Sequence, residues 1–113
     1  MKKTIAQRMH FLNTHIAGFT YWDGCIAFEN LKIGTELTLV RELDNKHDAN
    51  AVAIYYNDLK LGFIPSRHNH TISQFLEMGH DNCFETRICA INPQANPEAQ
   101  VTINIYIKRK PKK

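Results

Sequence analysis

Cysteine is scarce and unpaired in this chain. Cys25, Cys83 and Cys89 form an odd set with no CxxC pair, which speaks against a disulfide framework or a zinc ribbon and for free thiols in a reducing compartment. Long apolar runs are missing as well: none approaches the ~20 residues that a membrane helix needs. The start, Met1-Lys2-Lys3-Thr4, is charged like a secretory signal, but Gln7, Arg8 and His10 follow where such a signal is apolar. A cytoplasmic protein without a membrane segment is the expectation. Neither GxxxxGK[ST] nor GxGxxG nor GxSxG occurs, so phosphate-loop, dinucleotide and hydrolase-elbow chemistry has no footing, and no cofactor is implied.

A broad surplus of positive charge is absent too, although the net charge is +3. Lys108, Arg109, Lys110, Lys112 and Lys113 supply five positive charges at one end; without them 9 basic residues stand against 11 acidic ones, a body of −2. Tracking a long row of phosphates needs many cations, so a nucleic-acid ligand of this body must be compact. The bland reading of the tail is a solvated, frayed end; with a nucleic-acid ligand it adds non-specific attraction.

What is present suits one domain. The 113 residues are 43% hydrophobic and 22% charged, enough for one core and not for two. Residues 1–12 read as a flexible lead-in, 13–108 as the domain and 109–113 as the basic tail. A first strand is expected over Asn13–Phe19, then a turn at Tyr21-Trp22-Asp23-Gly24 and a short helical turn over 25–31 with apolar residues at 25, 26, 28 and 31. Glu36–Arg41 alternates as a strand. Ala51–Tyr56 and Lys60–Ile64 form a hairpin about Asn57-Asp58, stopped by Pro65. Residues 66–78 carry Ile72, Phe75, Leu76 and Met78 at helical spacing and end at Gly79. Asn82–Ile91 is a strand with Phe84, Thr86, Ile88 and Ala90 on one side. In the last strand Val101, Ile103, Ile105 and Ile107 point inward. The expected fold is a mainly β, six-stranded antiparallel barrel of modified OB-like or SH3-like type, with one substantial helix.

Eight of the residues from Arg41 to Asn50 are charged, amide or imidazole groups, framed by two apolar strands. Asn and Asp favour turns by satisfying nearby backbone groups, which accounts for part of the cluster. A rigid polar loop flanked by aromatics is also a common ligand site. The six histidines raise a metal reading in which His68-x-His70 joins His47, Asp48 or His80; the bland alternative is polar surface near a helix end. The cysteines read as small buried hydrophobes.

Four ordered blocks carry a family resemblance: Gly18-Phe19-Thr20-Tyr21-Trp22-Asp23-Gly24; Gly34 with Leu37-Thr38-Leu39-Val40-Arg41-Glu42; Asn45-Lys46-His47-Asp48-Ala49-Asn50-Ala51-Val52; and Leu61-Gly62-Phe63-Ile64-Pro65. Together they resemble the HIRAN domain of helicase-like DNA repair proteins and stand-alone bacterial proteins, over residues 13 to 107. The resemblance implies an OB-like barrel that binds single-stranded DNA at a free 3′ end. Aromatic rings stack on the terminal bases, and an aspartate accepts a hydrogen bond from the 3′-hydroxyl. Position by position it implies Tyr21 as the stacking ring, Asp48 as the hydroxyl acceptor and Asn45 as a polar residue facing the strand's backbone. Trp22 is either a second ring or core, and Arg41 pins the loop. This chain departs from the pattern at Thr20, where an arginine is common, at His47, which replaces a tyrosine, at Phe63 and at Ser66. Arg67 and His68, with His70, stand at the helix start where they compensate. The expected partner is single-stranded DNA or a DNA 3′ end, beside a separately encoded helicase or nuclease, in repair or replication. Two other readings stay open: a protein-interaction or accessory barrel that has lost DNA binding, and a zinc-binding domain associated with hydrolysis.

Overall fold

The computed structural model describes residues 5–110. Six antiparallel strands form one sheet in the order β1-β6-β5-β2-β3-β4. They are β1 (Arg8–His15), β2 (Glu36–Arg41), β3 (Val52–Tyr56), β4 (Leu59–Phe63), β5 (Phe84–Ile91) and β6 (Val101–Lys108). Two helices accompany them, α1 (Gly24–Ala27), extended by a 3₁₀ turn at Phe28–Asn30, and α2 (His70–Glu77), preceded by a 3₁₀ turn at Ser66–His68. The mainly β, six-stranded antiparallel architecture matches the expectation.

The sheet does not close into a continuous barrel. β1 and β4 are its edges, and among the described residues they meet through one isolated bridge, Ala17 to Phe63. Each N–H of that bridge donates to the other residue's carbonyl at 2.9 Å. Gly62 makes the approach possible. Its φ is +149°, and a Cβ there would stand 2.3 Å from the Ala17 carbonyl oxygen, a separation no side chain tolerates.

The core lies inside this curved sheet. Ile16, Phe19, Ile54, Leu61, Ile72, Ile88, Ile103 and Ile105 are almost wholly buried, each contributing roughly 1.5–3 kcal/mol of transfer free energy. In β6, Val101, Ile103 and Ile105 are buried and Ile107 is half-buried, as the alternation required. In the β3–β4 hairpin Asn57 takes a φ of 53°, the left-handed conformation that a two-residue loop demands.

Several expectations need correction. The first strand starts at Arg8 and ends at His15, not at Asn13–Phe19, so residues 8–12 belong to the sheet and not to a lead-in. Phe19 instead opens a 3₁₀ turn over Phe19–Tyr21. Arg109 is not frayed, since its N–H donates to the Gln7 carbonyl at 2.8 Å; Lys112 and Lys113 lie outside the described residues. Ala90 is exposed because the β5–β6 register shifts between Ile88 and Ala90, and a bulge reverses the alternation beyond it. On the α1 side, Ala27 and Leu31 are buried while Cys25 and Ile26 are exposed. On α2, Ile72 and Ser73 are buried whereas Phe75 and Met78 are exposed. Of the cysteines, Cys83 is half-buried against the core, Cys89 is half-buried and Cys25 is exposed.

Candidate functional site

The polar loop between β2 and β3 is built from its own side chains first. Asn45 Oδ1 accepts the His47 and Asp48 N–H groups, both at 2.9 Å, and Asp48 Oδ1 accepts the Asn50 N–H at 2.9 Å. These are the local bonds by which Asn and Asp shape turns. The helix then grips the loop from outside. Asn69, Ser73 and Glu77 recur at four-residue spacing, one face of a helix. Asn69 Nδ2 donates to Asp48 Oδ2 at 2.9 Å, and Ser73 Oγ donates to Asn50 Oδ1 at 3.3 Å. Arg41 ties all three parts together, donating from Nη1 to the Ala49 carbonyl at 2.9 Å and to Ser73 Oγ at 2.7 Å, and from Nε to Glu77 at 2.7 Å. Its place is structural, pinning the loop.

An aromatic wall faces the loop. Trp22 and Phe63 pack edge to face, their ring centroids 5.8 Å apart. The Lys60 ammonium lies 3.9 Å from the Trp22 ring centroid and 4.7 Å from that of Phe63, and it pairs with the Glu42 carboxylate. Lys60 and Phe63 are an odd number of residues apart, yet they reach the same side. The register shift opposite Ile54 and Tyr55, which leaves Leu61 as the extra residue, reverses the alternation between them. Glu42 in turn accepts from Asn45 Nδ2 at 3.1 Å. Burial alone would raise the Glu42 pKa, but the hydrogen bonds from Lys60 and Asn45 and the nearby ammonium charge outweigh it and hold the carboxyl below its ordinary value. The turn carrying Trp22 is fixed to β4, since the Asp23 N–H donates to the Lys60 carbonyl at 2.8 Å and Asp23 Oδ2 accepts the Lys60 N–H at 3.1 Å.

Between loop and wall lies a cleft of about 530 Å³, lined by Trp22, Asn45, His47, Asp48, Phe63 and Ser66 among others. That volume suits a small ligand or one unit of a polymer. Each Asp48 oxygen accepts one internal hydrogen bond. An ionised carboxylate has about four acceptor positions, so the group is held in place with capacity to spare. A second depression of about 500 Å³ shares Ala17 and Ser66 with the cleft and is lined by His15, Arg67, Asn96 and Glu98.

Four of the residues singled out by sequence therefore converge: Trp22, Asn45, His47 and Asp48. Trp22 is 46% exposed and lines the cleft, which decides against the core reading. Tyr21 is 89% exposed and stands outside the cleft lining, one residue before Trp22. Arg67 lines the neighbouring depression. His68 is half-buried and lines neither; its N–H donates to the Pro65 carbonyl. Among the described residues no group of three or more His, Cys, Asp or Glu is placed to hold a metal ion, and no helix is long and apolar enough to cross a membrane. Sequence reasoning missed Lys60, Glu42 and Asn69. The last carried a faint signal, because Asn69, Ser73 and Glu77 form a polar stripe beside Ile72 and Leu76.

The sequence matches the family model of the HIRAN domain over residues 9–110. Among proteins of curated function, none has a matching sequence. A crystal structure of a protein from Lactobacillus plantarum is similar in fold, with a TM-score of 0.74 at 20% identity, covering 88% of this chain and 94% of that one. The crystal structure of the HIRAN domain of human HLTF is similar with a TM-score of 0.60 at 14% identity, covering 90% of this chain and 81% of that one. These two likenesses bear on the fold alone. With a family match that spans nearly the whole chain, this protein belongs to the HIRAN domain family, whose domain is a DNA-binding one.

Proposed function

We propose that the cleft receives the terminal nucleotide of a single DNA strand at its free 3′ end. Asp48 accepts a hydrogen bond from the terminal hydroxyl, and Asn45 faces the sugar and phosphate. The terminal base enters between Trp22 and His47, while Tyr21, outside the rim, meets the next base. Stacking contributes ~1–3 kcal/mol per base regardless of sequence, and a hydrogen bond to a charged acceptor ~1.5–3 kcal/mol. Arg67, in the adjoining depression, receives the phosphate of the departing strand. The protein acts as a binding module without chemistry of its own, and the ends it holds are those met in DNA repair or replication, beside a helicase or nuclease encoded elsewhere.

The observation that carries this reading is the meeting of Trp22, Asn45, His47 and Asp48 around one cleft. It also suits the charge balance, since an end presents few phosphates to a body that lacks excess cations. A second reading draws on Thr20, which is exposed on the 3₁₀ turn beside Tyr21 and offers no cation where other family members have one. In that reading the barrel is retained as a protein-interaction module.

Trp22 is the sole tryptophan, so its fluorescence reports the cleft directly. Titration with short oligonucleotides blocked at one end or the other gives a larger signal and tighter binding when the 3′ end is free. Equal titrations for both ends contradict end recognition, and no signal with any strand at low salt favours the accessory barrel.

A further inference from the structure

A DNA end brings phosphates to a cleft whose lining includes two carboxylates, Glu42 and Asp48, and no lysine or arginine. Asp48 has a use there, as the acceptor for a hydroxyl group. Glu42 has none of that kind, and it stays anionic near neutral pH. Burial opposes its charge, yet the bonds from Lys60 and Asn45 prevail and hold the carboxyl below its ordinary value. Left unopposed, that charge repels the phosphate of an entering nucleotide.

Lys60 stands behind the lining and opposes it. The Lys60 side chain is 15% exposed and that of Glu42 20%, so the pair lies largely within the wall, where salt screens opposite charges weakly. The ammonium pairs with Glu42 Oε2, and Glu42 Oε1 accepts from Asn45 Nδ2 at 3.1 Å. Asn45 in turn holds the His47 and Asp48 N–H groups, both at 2.9 Å. The same ammonium lies 3.9 Å from the Trp22 ring centroid and 4.7 Å from that of Phe63. The Lys60 backbone is bonded in both directions to Asp23, the neighbour of Trp22. One residue thus connects the turn that carries Trp22, strand β4 and the β2–β3 loop.

Building on the DNA-end reading of the cleft, we propose that Lys60 is its positioning residue: it neutralises Glu42 so that a strand can enter, and it props the Trp22 ring on which the terminal base stacks. Lys60 itself makes no contact with the strand. Its ammonium is spent on a carboxylate and on two aromatic rings whose quadrupoles attract a cation, and it is not part of the cleft lining. The register shift between Ile54 and Tyr55 thereby gains a purpose, because it turns Lys60 to the side of β4 that faces Trp22, Phe63 and Glu42.

The test joins a charge cycle to a spectroscopic signature. Anisotropy titrations at low salt, with one short oligonucleotide bearing a free 3′-hydroxyl, compare wild-type protein, K60M, K60R and K60M/E42Q. K60M keeps an apolar stem against the rings and loses the charge. Its affinity falls about 10-fold, the scale of one charge acting on a phosphate across roughly 10 Å at a protein surface. K60M/E42Q removes both charges, leaves no carboxylate unpaired in the wall, and recovers affinity to within about 3-fold of wild type. K60R retains the affinity. In the free protein the emission of Trp22 shifts in K60M and is preserved in K60R. Equal affinity of K60M and wild type overturns the proposal, as does unchanged Trp22 emission in K60M. Failure of K60M/E42Q to recover overturns it in favour of direct contact between Lys60 and a phosphate. A wild-type protein that binds no strand removes the DNA-end reading and the role of Lys60 together. Equal wild-type affinity for 3′-hydroxyl and 3′-phosphate ends, with the charge cycle intact, removes end recognition alone.

Discussion

Asp48 is a carboxylate held on two sides and open on the third. Its oxygens take the Asn50 N–H and the Asn69 amide, which fixes the orientation before any ligand arrives and lowers the entropic cost of binding. Replacement of Asp48 by alanine weakens binding of a strand with a free 3′-hydroxyl by about 10- to 100-fold, the equivalent of the ~1.5–3 kcal/mol of a charged hydrogen bond, measurable by fluorescence anisotropy. Glu42 gives a pH dependence. Its folded pKa lies below the ordinary value because Lys60 and Asn45 outweigh the burial that opposes them. The unfolded chain therefore binds the proton more readily, and the contribution to stability is complete above the ordinary glutamate pKa of ~4.3 and is lost as the pH falls through the depressed folded value. In acid titrations followed by Trp22 emission, Glu42→Gln shows a smaller loss of stability below pH ~4 than wild type. Asn45, His47 and Asp48 were legible because they are neighbours in one polar run. Lys60 was not, since its partners Trp22 and Glu42 come from other segments and its orientation depends on a bulge that no residue type announces.

At the scale of elements, strands with an apolar rhythm or β-prone residues were readable even where a bulge interrupts them, and the exposed edge strand was not. β6 follows the period of two throughout its buried positions, and the β3–β4 hairpin was legible from its β-prone residues about Asn57-Asp58, although Val52, Ala53 and Ile54 are all buried. β1 is an edge strand whose register shifts between His10 and Leu12 and whose residues are mostly exposed, so it lacks the apolar rhythm that marks a strand. The reading consequently moved to the apolar Ile16 and Phe19 beyond it. α2 was found by its apolar stripe, while its second face, through Asn69 and Ser73, is buried against a polar loop and carries no hydrophobic signal. Asn69 is 2% exposed. Asn69→Ala leaves Asp48 without that donor and costs about 1–3 kcal/mol in urea unfolding, with a parallel loss of strand affinity. Gly62→Ala is more severe than an ordinary surface change. The added methyl group collides with the Ala17 carbonyl at a left-handed φ, so the bridge between the sheet edges breaks and stability falls by ~2 kcal/mol or more in the same assay.

At the scale of the whole molecule, an open sheet rolls until its edges touch at a single bridge, and the cleft lies beside that bridge, between the β2–β3 loop and the β4 wall. The length, the alternating strands and the four sequence blocks were enough to indicate this architecture, but barrel closure depends on edge geometry that composition does not encode. Topology likewise gathers charge, since Arg8 and Lys108 stand opposite one another where the first and last strands are neighbours. End recognition in the cleft is the central claim, and its most direct measurement compares two oligonucleotides of the same sequence, one ending in a 3′-hydroxyl and the other in a 3′-phosphate. Wild-type protein binds the hydroxyl end more tightly, and Asp48→Ala abolishes the difference. Equal affinity of the wild-type protein for the two ends contradicts the account.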